Sequence, residues 1–146
     1  MKKYKVQSVK IKMVREGKCL YSSVPFTDAS VVASALTAMT KDLDREQMMV
    51  VTVDTQLMPT SFTVVAVGGR SCASFDVADI FKTAILSNAD GIIIAHNHPS
   101  GDPTPSQVDI ETTKKVMRAG EILGIKVLDH IVLGEDKYVS IVDLLK

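Results

Sequence analysis

At 146 residues, with 46% hydrophobic and 23% charged side chains, the chain has the size and composition of one globular domain and not of a disordered polypeptide. The formal net charge is zero, so the chain as a whole lacks the positive charge typical of a dedicated nucleic-acid binder. Two cysteines, no apolar run of membrane-spanning length and no signal peptide together predict a cytoplasmic protein.

The N-terminal segment is more basic than the rest of the chain. Residues 1–18 carry seven bases and one acid, a local charge of +6. Val9, Ile11 and Met13 alternate with lysines, which predicts a half-buried strand, and residues 19–21 are expected to return as a short partner strand. The lysines are interpreted as protection of an exposed strand edge, or else as a contact to nucleic acid. Any DNA binding is therefore expected to be weak and to run through residues 1–18.

The middle of the chain predicts two helices flanking two strands. Asp28 can cap a helix whose apolar stripe runs from Val31 to Met39. Residues 48–53 and 62–67 are expected to form neighbouring antiparallel strands. A second helix is predicted from about Asp76 to Ser87.

The second half is organised around a short apolar run at residues 91–95, which is typical of a central strand covered on both faces. That strand leads into His96-Asn97-His98 and a loop, residues 99–105, that holds three of the five prolines. Ser106 opens a third helix that reaches about Leu123, and residues 126–133 and 138–144 are predicted strands. The element order predicts an α/β (α+β) fold, a mixed sheet with flanking helices, as a single domain over residues 1–146.

Two of the three histidines, His96 and His98, are spaced to share one face of a strand end. Asp109 follows the stiff loop in the first turn of the third helix, and a tight return can bring its carboxylate to both imidazoles. Two imidazoles and one carboxylate leave a fourth position open, which is the arrangement of a catalytic zinc site. The sequence therefore predicts one Zn²⁺ per chain, held by His96, His98 and Asp109.

Each part of this pattern has a simpler explanation when it is taken alone. A His-x-His pair can cap a strand end by hydrogen bonding, and Ser106-x-x-Asp109 can be only a helix cap. Asp129-His130 has an imidazole beside a carboxylate, and either residue can orient a metal ligand from behind it. A core histidine that is satisfied by hydrogen bonds is the alternative for His130.

The string His96-Asn97-His98-Pro99-Ser100-Gly101-Asp102-Pro103, followed by Ser106 and Asp109, resembles the JAMM (MPN-type) metal motif and, more closely, the RadC proteins. The resemblance covers roughly residues 40–144. It implies a cytidine-deaminase-like JAMM sandwich in which His96, His98 and Asp109 are the zinc ligands. It also implies that Ser106 polarises the reacting group and that Glu46 is the catalytic glutamate.

The chain departs from the RadC pattern in two places. RadC proteins usually carry a helix-hairpin-helix module before this domain, and the residues before Glu46 do not resemble one. RadC proteins also tend to have Pro-Arg-Glu where this chain has Val77-Ala78-Asp79. Both departures count against an action on DNA.

Together these features predict a zinc-dependent hydrolase of amide or isopeptide bonds, a JAMM-type metallopeptidase with a peptide or protein substrate. The alternative is a DNA-repair-associated binding module whose zinc site is structural or vestigial. The letters of His96-Asn97-His98 coincide with the name of the HNH nucleases, whose motif residues are not contiguous. A cytidine deaminase is excluded because no Pro-Cys-x-x-Cys follows the histidines.

Overall fold

The computed structural model describes residues 1–17, 19–68 and 75–146. The described residues form nine elements: α1 (Ala29–Thr40), β1 (Gln47–Val53), β2 (Pro59–Val67), α2 (Val77–Leu86), β3 (Gly91–Asn97), α3 (Gln107–Leu123), β4 (Lys126–Leu133), β5 (Tyr138–Ser140) and α4 (Ile141–Leu144). The predicted helix starts at Asp28, Asp76 and Ser106 are confirmed as N-caps. None of the described helices is both long enough and apolar enough to cross a membrane.

The described strands form one sheet in the order β2-β1-β3-β4-β5. Only the pairing of β3 with β4 is parallel, and α3 makes the connection between these two strands. The other three pairings are antiparallel. β3 therefore lies in the centre of a mixed sheet, and every one of its residues is buried. The mixed α/β sandwich expected from the sequence is confirmed.

Helices cover both faces of the sheet. Alternate residues of β3 belong to different apolar clusters: Ile93 and Ala95 pack with residues of α1, and Ile92 and Ile94 pack with residues of α2 and α3. Because side chains alternate along a strand, His96 continues the face of Ile94 toward α3. The position of the apolar residues thus determines which helix His96 faces.

The two strands predicted before the first helix are wrong. Among the described residues ahead of Asp28 there is no helix or strand, and the side chains of Val9 and Ile11 are 79% and 75% exposed. An alternating pattern becomes a strand only when a sheet or core is present for its apolar face to cover. Lys18, which lies between these two predicted strands, is outside the described residues.

The last predicted strand is wrong in its second half. β5 ends at Ser140, and α4 follows at once. The Ser140 Oγ accepts a hydrogen bond of 3.1 Å from the backbone N–H of Asp143. Such a hydroxyl cap offers the backbone an alternative to the sheet ladder, and Ile141 is buried in the helical turn.

Candidate metal centre

Four side chains meet at one end of the sheet: Glu46, His96, His98 and Asp109. One ligand atom from each lies within 4.8 Å of the ligand atoms of the other three. Glu46 precedes β1, His96 is near the end of β3, His98 follows β3, and Asp109 lies in the first turn of α3. The structure thus brings the three predicted ligands together and adds the predicted glutamate to them.

The distances among the three predicted ligands are those of a small coordination sphere. The Nε2 atoms of His96 and His98 are 3.0 Å apart, and the Asp109 Oδ2 lies 3.5 Å and 3.6 Å from them, respectively. A tetrahedral ion with bonds of about 2.0–2.1 Å separates neighbouring ligand atoms by about 3.3 Å. The Glu46 Oε1 is slightly farther out, at 3.8 Å from the His96 Nε2.

The loop after β3 fixes the ring of His98. The His98 Nδ1 lies 2.8 Å from the backbone oxygen of Asp102, and because a carbonyl only accepts, Nδ1 carries the proton and Nε2 faces the cluster. The loop turns at Gly101, whose φ is +88°, and packs on Gly134, where an added Cβ would lie 2.4 Å from the Gly101 oxygen. Glycine at these two positions permits the close backbone contact that holds the loop.

Asp109 both caps α3 and faces the histidines. Its Oδ2 accepts a 2.8 Å hydrogen bond from the Ser106 N–H, while the Ser106 Oγ accepts from the Asp109 N–H at 3.1 Å. The helix-cap explanation is therefore correct, and the same carboxylate oxygen faces the two histidines, so that the cap leaves the ligand explanation open. Burial opposes ionisation of Asp109, but the neighbouring imidazoles of His96 and His98 outweigh it and hold the pKa of this carboxyl far below its usual value.

The side chains of Asp129 and His130 have different partners in the structure. The side chain of His130 is fully buried, and its Nε2 lies 2.8 Å from the Nδ1 of His96. Burial lowers the pKa of His130 to about 3, so the ring is neutral at physiological pH. Asp129 instead accepts hydrogen bonds from its neighbour's N–H and from the Ser140 Oγ at 2.7 Å and 2.8 Å, and burial raises the pKa of its carboxyl. Of these two residues, only His130 contacts a member of the cluster, His96.

Asn97, between the two histidines, was not predicted as a site residue. Its side-chain oxygen accepts a hydrogen bond of 2.8 Å from the N–H of Gln47, and its amide nitrogen donates at 3.0 Å to the oxygen of Arg45. These two groups flank Glu46, so the Asn97 amide fixes the backbone on both sides of that residue. The available signal was a polar side chain at the end of an otherwise apolar strand, in the centre of the metal motif.

The donor set fits a divalent transition metal. Imidazole nitrogen and carboxylate oxygen are preferred zinc ligands, and the two carboxylates give the cluster a negative charge that a dication offsets. Hydrogen bonding to Asp109 raises the pKa of His98, while burial opposes this shift. A proton therefore competes with a metal for the His98 Nε2, the atom that faces His96. Without a proton or a metal there, two nitrogen lone pairs would face each other at 3.0 Å.

Comparison with known proteins shows to which family the chain belongs. Residues 26–145 match the model of the RadC-like JAB domain, and the chain belongs to this family. The match includes all four residues of the candidate centre and every described helix and strand. The resemblance to RadC proteins is thereby confirmed.

Relatives named "UPF0758 protein" occur in several bacteria. The protein of Carboxydothermus hydrogenoformans is 51% identical over 96 residues, which are 66% of this chain and 42% of the relative. That of Chloroflexus aurantiacus is 38% identical over 117 residues, 80% of this chain and 51% of the relative. A Staphylococcus epidermidis protein is 37% identical over 123 residues, 84% and 54% of the two chains. This chain spans about half the length of the relatives it matches.

The amide of Asn97 gives a first testable prediction. Asn97→Ala removes the partners of the Gln47 N–H and the Arg45 carbonyl, and partial access of water moderates the loss. We expect the free energy of unfolding to fall by about 1–2 kcal/mol in urea titration. Gln56→Ala, which removes an exposed side-chain amide, serves as the control and is expected to change it by less than about 0.5 kcal/mol. Equal values for the two variants would show that Asn97 does not brace this segment.

Proposed function

We propose that the protein is a zinc-dependent hydrolase of amide or isopeptide bonds, with one Zn²⁺ held by His96, His98 and Asp109. The observation that carries the proposal is the geometry of the cluster: three ligand atoms 3.0–3.6 Å apart, with the Glu46 carboxylate beside them at 3.8 Å from the His96 Nε2. Three protein ligands leave a coordination position for water, as in catalytic zinc sites. Membership of the RadC-like JAB domain family supports the same assignment.

The proposed mechanism assigns one task each to Glu46 and Ser106. Zinc, when bound, lowers the pKa of a coordinated water to about 7. Glu46, whose carboxylate lies 3.8 Å from the His96 Nε2 and is 30% exposed, accepts the proton of the attacking water and passes it to the leaving amine. The Ser106 Oγ accepts from the Asp109 N–H, which leaves its own proton available for the developing oxyanion of the substrate.

Peptides or proteins are the proposed substrates. Cleavage of their amide bonds releases an amine, which needs the proton that Glu46 would pass on. Nucleic acid is proposed at most as a weak, salt-sensitive partner of residues 1–18. The six basic side chains of residues 1–17 are exposed and precede the residues that match the family.

The metal assignment predicts a loss of zinc in three variants. His96→Ala, His98→Ala and Asp109→Asn should each lower zinc retention from about one per chain to a small fraction, measured by elemental analysis after dialysis. Asp109→Asn is preferred to alanine because the amide oxygen still accepts from the Ser106 N–H, so that the helix cap is kept. Chelation should leave the protein folded, since the apolar clusters on both faces of the sheet do not involve the metal.

Asp79→Ala is the matched control for the loss of zinc. Asp79 occupies the same position in the capping box of α2 but lies outside the cluster. Its substitution should leave the zinc content unchanged. Full zinc retention in all three ligand variants would contradict the proposed centre.

The general-base role predicts that Glu46→Gln lowers turnover by a factor of about 10² to 10⁴ at unchanged zinc content. The swap keeps the shape of the side chain and removes only the proton acceptor. Turnover would be followed on peptide and isopeptide libraries, with and without chelator. Glu111→Gln, which alters an exposed carboxylate of α3, is the control and should retain activity.

Two results would count against this role of Glu46. A variant as active as the wild type would make Glu46 dispensable, and a loss of activity that follows a loss of zinc would make it a ligand. Zinc-loaded wild-type protein that cleaves no peptide or isopeptide would favour the binding-module alternative.

A further inference from the structure

A row of hydrogen bonds runs from the backbone of α3 to the ring of His96. The Thr113 Oγ1 lies 2.7 Å from the backbone oxygen of Asp109, one turn earlier in α3, and 2.6 Å from the Nδ1 of His130. The Nε2 of His130 lies 2.8 Å from the Nδ1 of His96. Thr113, His130 and His96 are all fully buried, so water does not compete for these contacts.

The direction of each bond follows from the first one. A backbone carbonyl only accepts, so the single hydroxyl proton of Thr113 is donated to Asp109. The Thr113 oxygen can then only accept from His130, which places the His130 proton on Nδ1. A neutral ring with its proton on Nδ1 has a lone pair on Nε2, and this lone pair accepts from the Nδ1–H of His96. His96 is left with an unprotonated Nε2, the atom that faces Asp109 and His98.

We infer that Thr113 and His130 are positioning residues that hold His96 in the tautomer able to bind a metal. A carbonyl next to Nδ1 would fix the ring of His96 equally well, as Asp102 does for His98. His130 differs because its Nε2 accepts a hydrogen bond from His96 only while Thr113 keeps the His130 proton on Nδ1. The state of the His96 ring therefore depends on a hydroxyl in α3, the same helix that supplies the third ligand, Asp109.

The inference deepens the proposed function and rests on its metal centre for one of two readouts. Without the hydroxyl, the His130 ring is free to carry its proton on Nε2. It then donates to the His96 Nδ1 and moves the His96 proton onto the nitrogen that would bind the metal. Metal binding must reverse this exchange, which lowers the affinity. Residues that orient metal ligands typically contribute a factor of about 10 to 100 in affinity.

The test compares Thr113→Val, which is nearly the same shape and lacks the hydroxyl, with Thr113→Ser, which keeps it. The dissociation constant for Zn²⁺ is measured by competition with a chromophoric chelator. We expect Thr113→Val and His130→Leu to bind Zn²⁺ about 10- to 100-fold more weakly than the wild type, and Thr113→Ser to stay within about threefold. Urea unfolding of the metal-free variants separates a loss of affinity from a loss of folded protein.

The second readout needs no metal. Long-range ¹H–¹⁵N spectra of protein labelled at histidine contain only three rings, and they report which nitrogen of each ring carries the proton. We expect His96 and His130 of the metal-free wild type and of Thr113→Ser to be protonated on Nδ1, and this preference to be lost in Thr113→Val. A purely structural Thr113 would lower stability without changing the tautomers.

Wild-type affinity in folded Thr113→Val and His130→Leu, or an unchanged His96 tautomer in Thr113→Val, would overturn the inference. A wild-type protein that binds no Zn²⁺ would end the proposed metal centre instead. The tautomers of the metal-free protein would still decide whether Thr113 and His130 set the His96 ring. The two failures are therefore distinguishable.

Discussion

The alternation of side chains at the end of β3 is the constraint on which the candidate centre depends. His96 points to the face covered by α3, where Asp109 begins the helix, and it reaches His130 of the neighbouring strand. Asn97 points the other way and bonds the backbone on both sides of Glu46. A slip of one residue in this strand would exchange the two faces, and His96 and Asn97 would both lose these partners. The apolar residues of β3, which pack into different clusters on the two faces, hold that register.

Buried polar groups at this end of the sheet are satisfied in a way that also orients them for a cation. Asp109 accepts from the start of its own helix, so its carboxylate is fixed before any metal arrives. His98 is tied to its loop through Asp102, and the loop is held by a backbone contact that only glycine at position 134 permits. Preorganised ligands lose little conformational freedom on binding, which favours affinity. The same bonds that a helix cap and a tight loop require thus position the centre.

Most of the fold followed from local patterns in the sequence. Apolar runs, capping residues and the proline-rich loop located the helices and the central strands to within a few residues, because in these segments local preference and burial agree. The errors fall at both ends of the chain. Residues 9–13 have the alternation of a strand but no sheet to cover among the described residues, and Ser140 ends β5 with a cap that alternation alone does not reveal. Both depend on tertiary contacts that periodicity does not contain.

The clustering of His96, His98 and Asp109 was predictable because their spacing on one strand and one helix start is a local property. Glu46 was not, since it lies 50 residues before His96 and was placed only by resemblance. The structure supplies its connection through the side chain of Asn97, which spans β3 and the start of β1. The role of Thr113 was also invisible in the sequence, because a threonine inside a helix is ordinary until its hydroxyl is found beside a buried histidine.

The most direct test of the account is the crystal structure of the zinc-loaded protein with anomalous data collected at the zinc edge. We expect one anomalous peak per chain at about 2.0–2.2 Å from the His96 Nε2, the His98 Nε2 and an Asp109 carboxylate oxygen. We also expect Glu46 to lie outside the bonding distance of the ion and the His96 Nδ1 to remain hydrogen-bonded to His130. A zinc ion bound elsewhere, or held by Glu46 in place of one of the histidines, would contradict it.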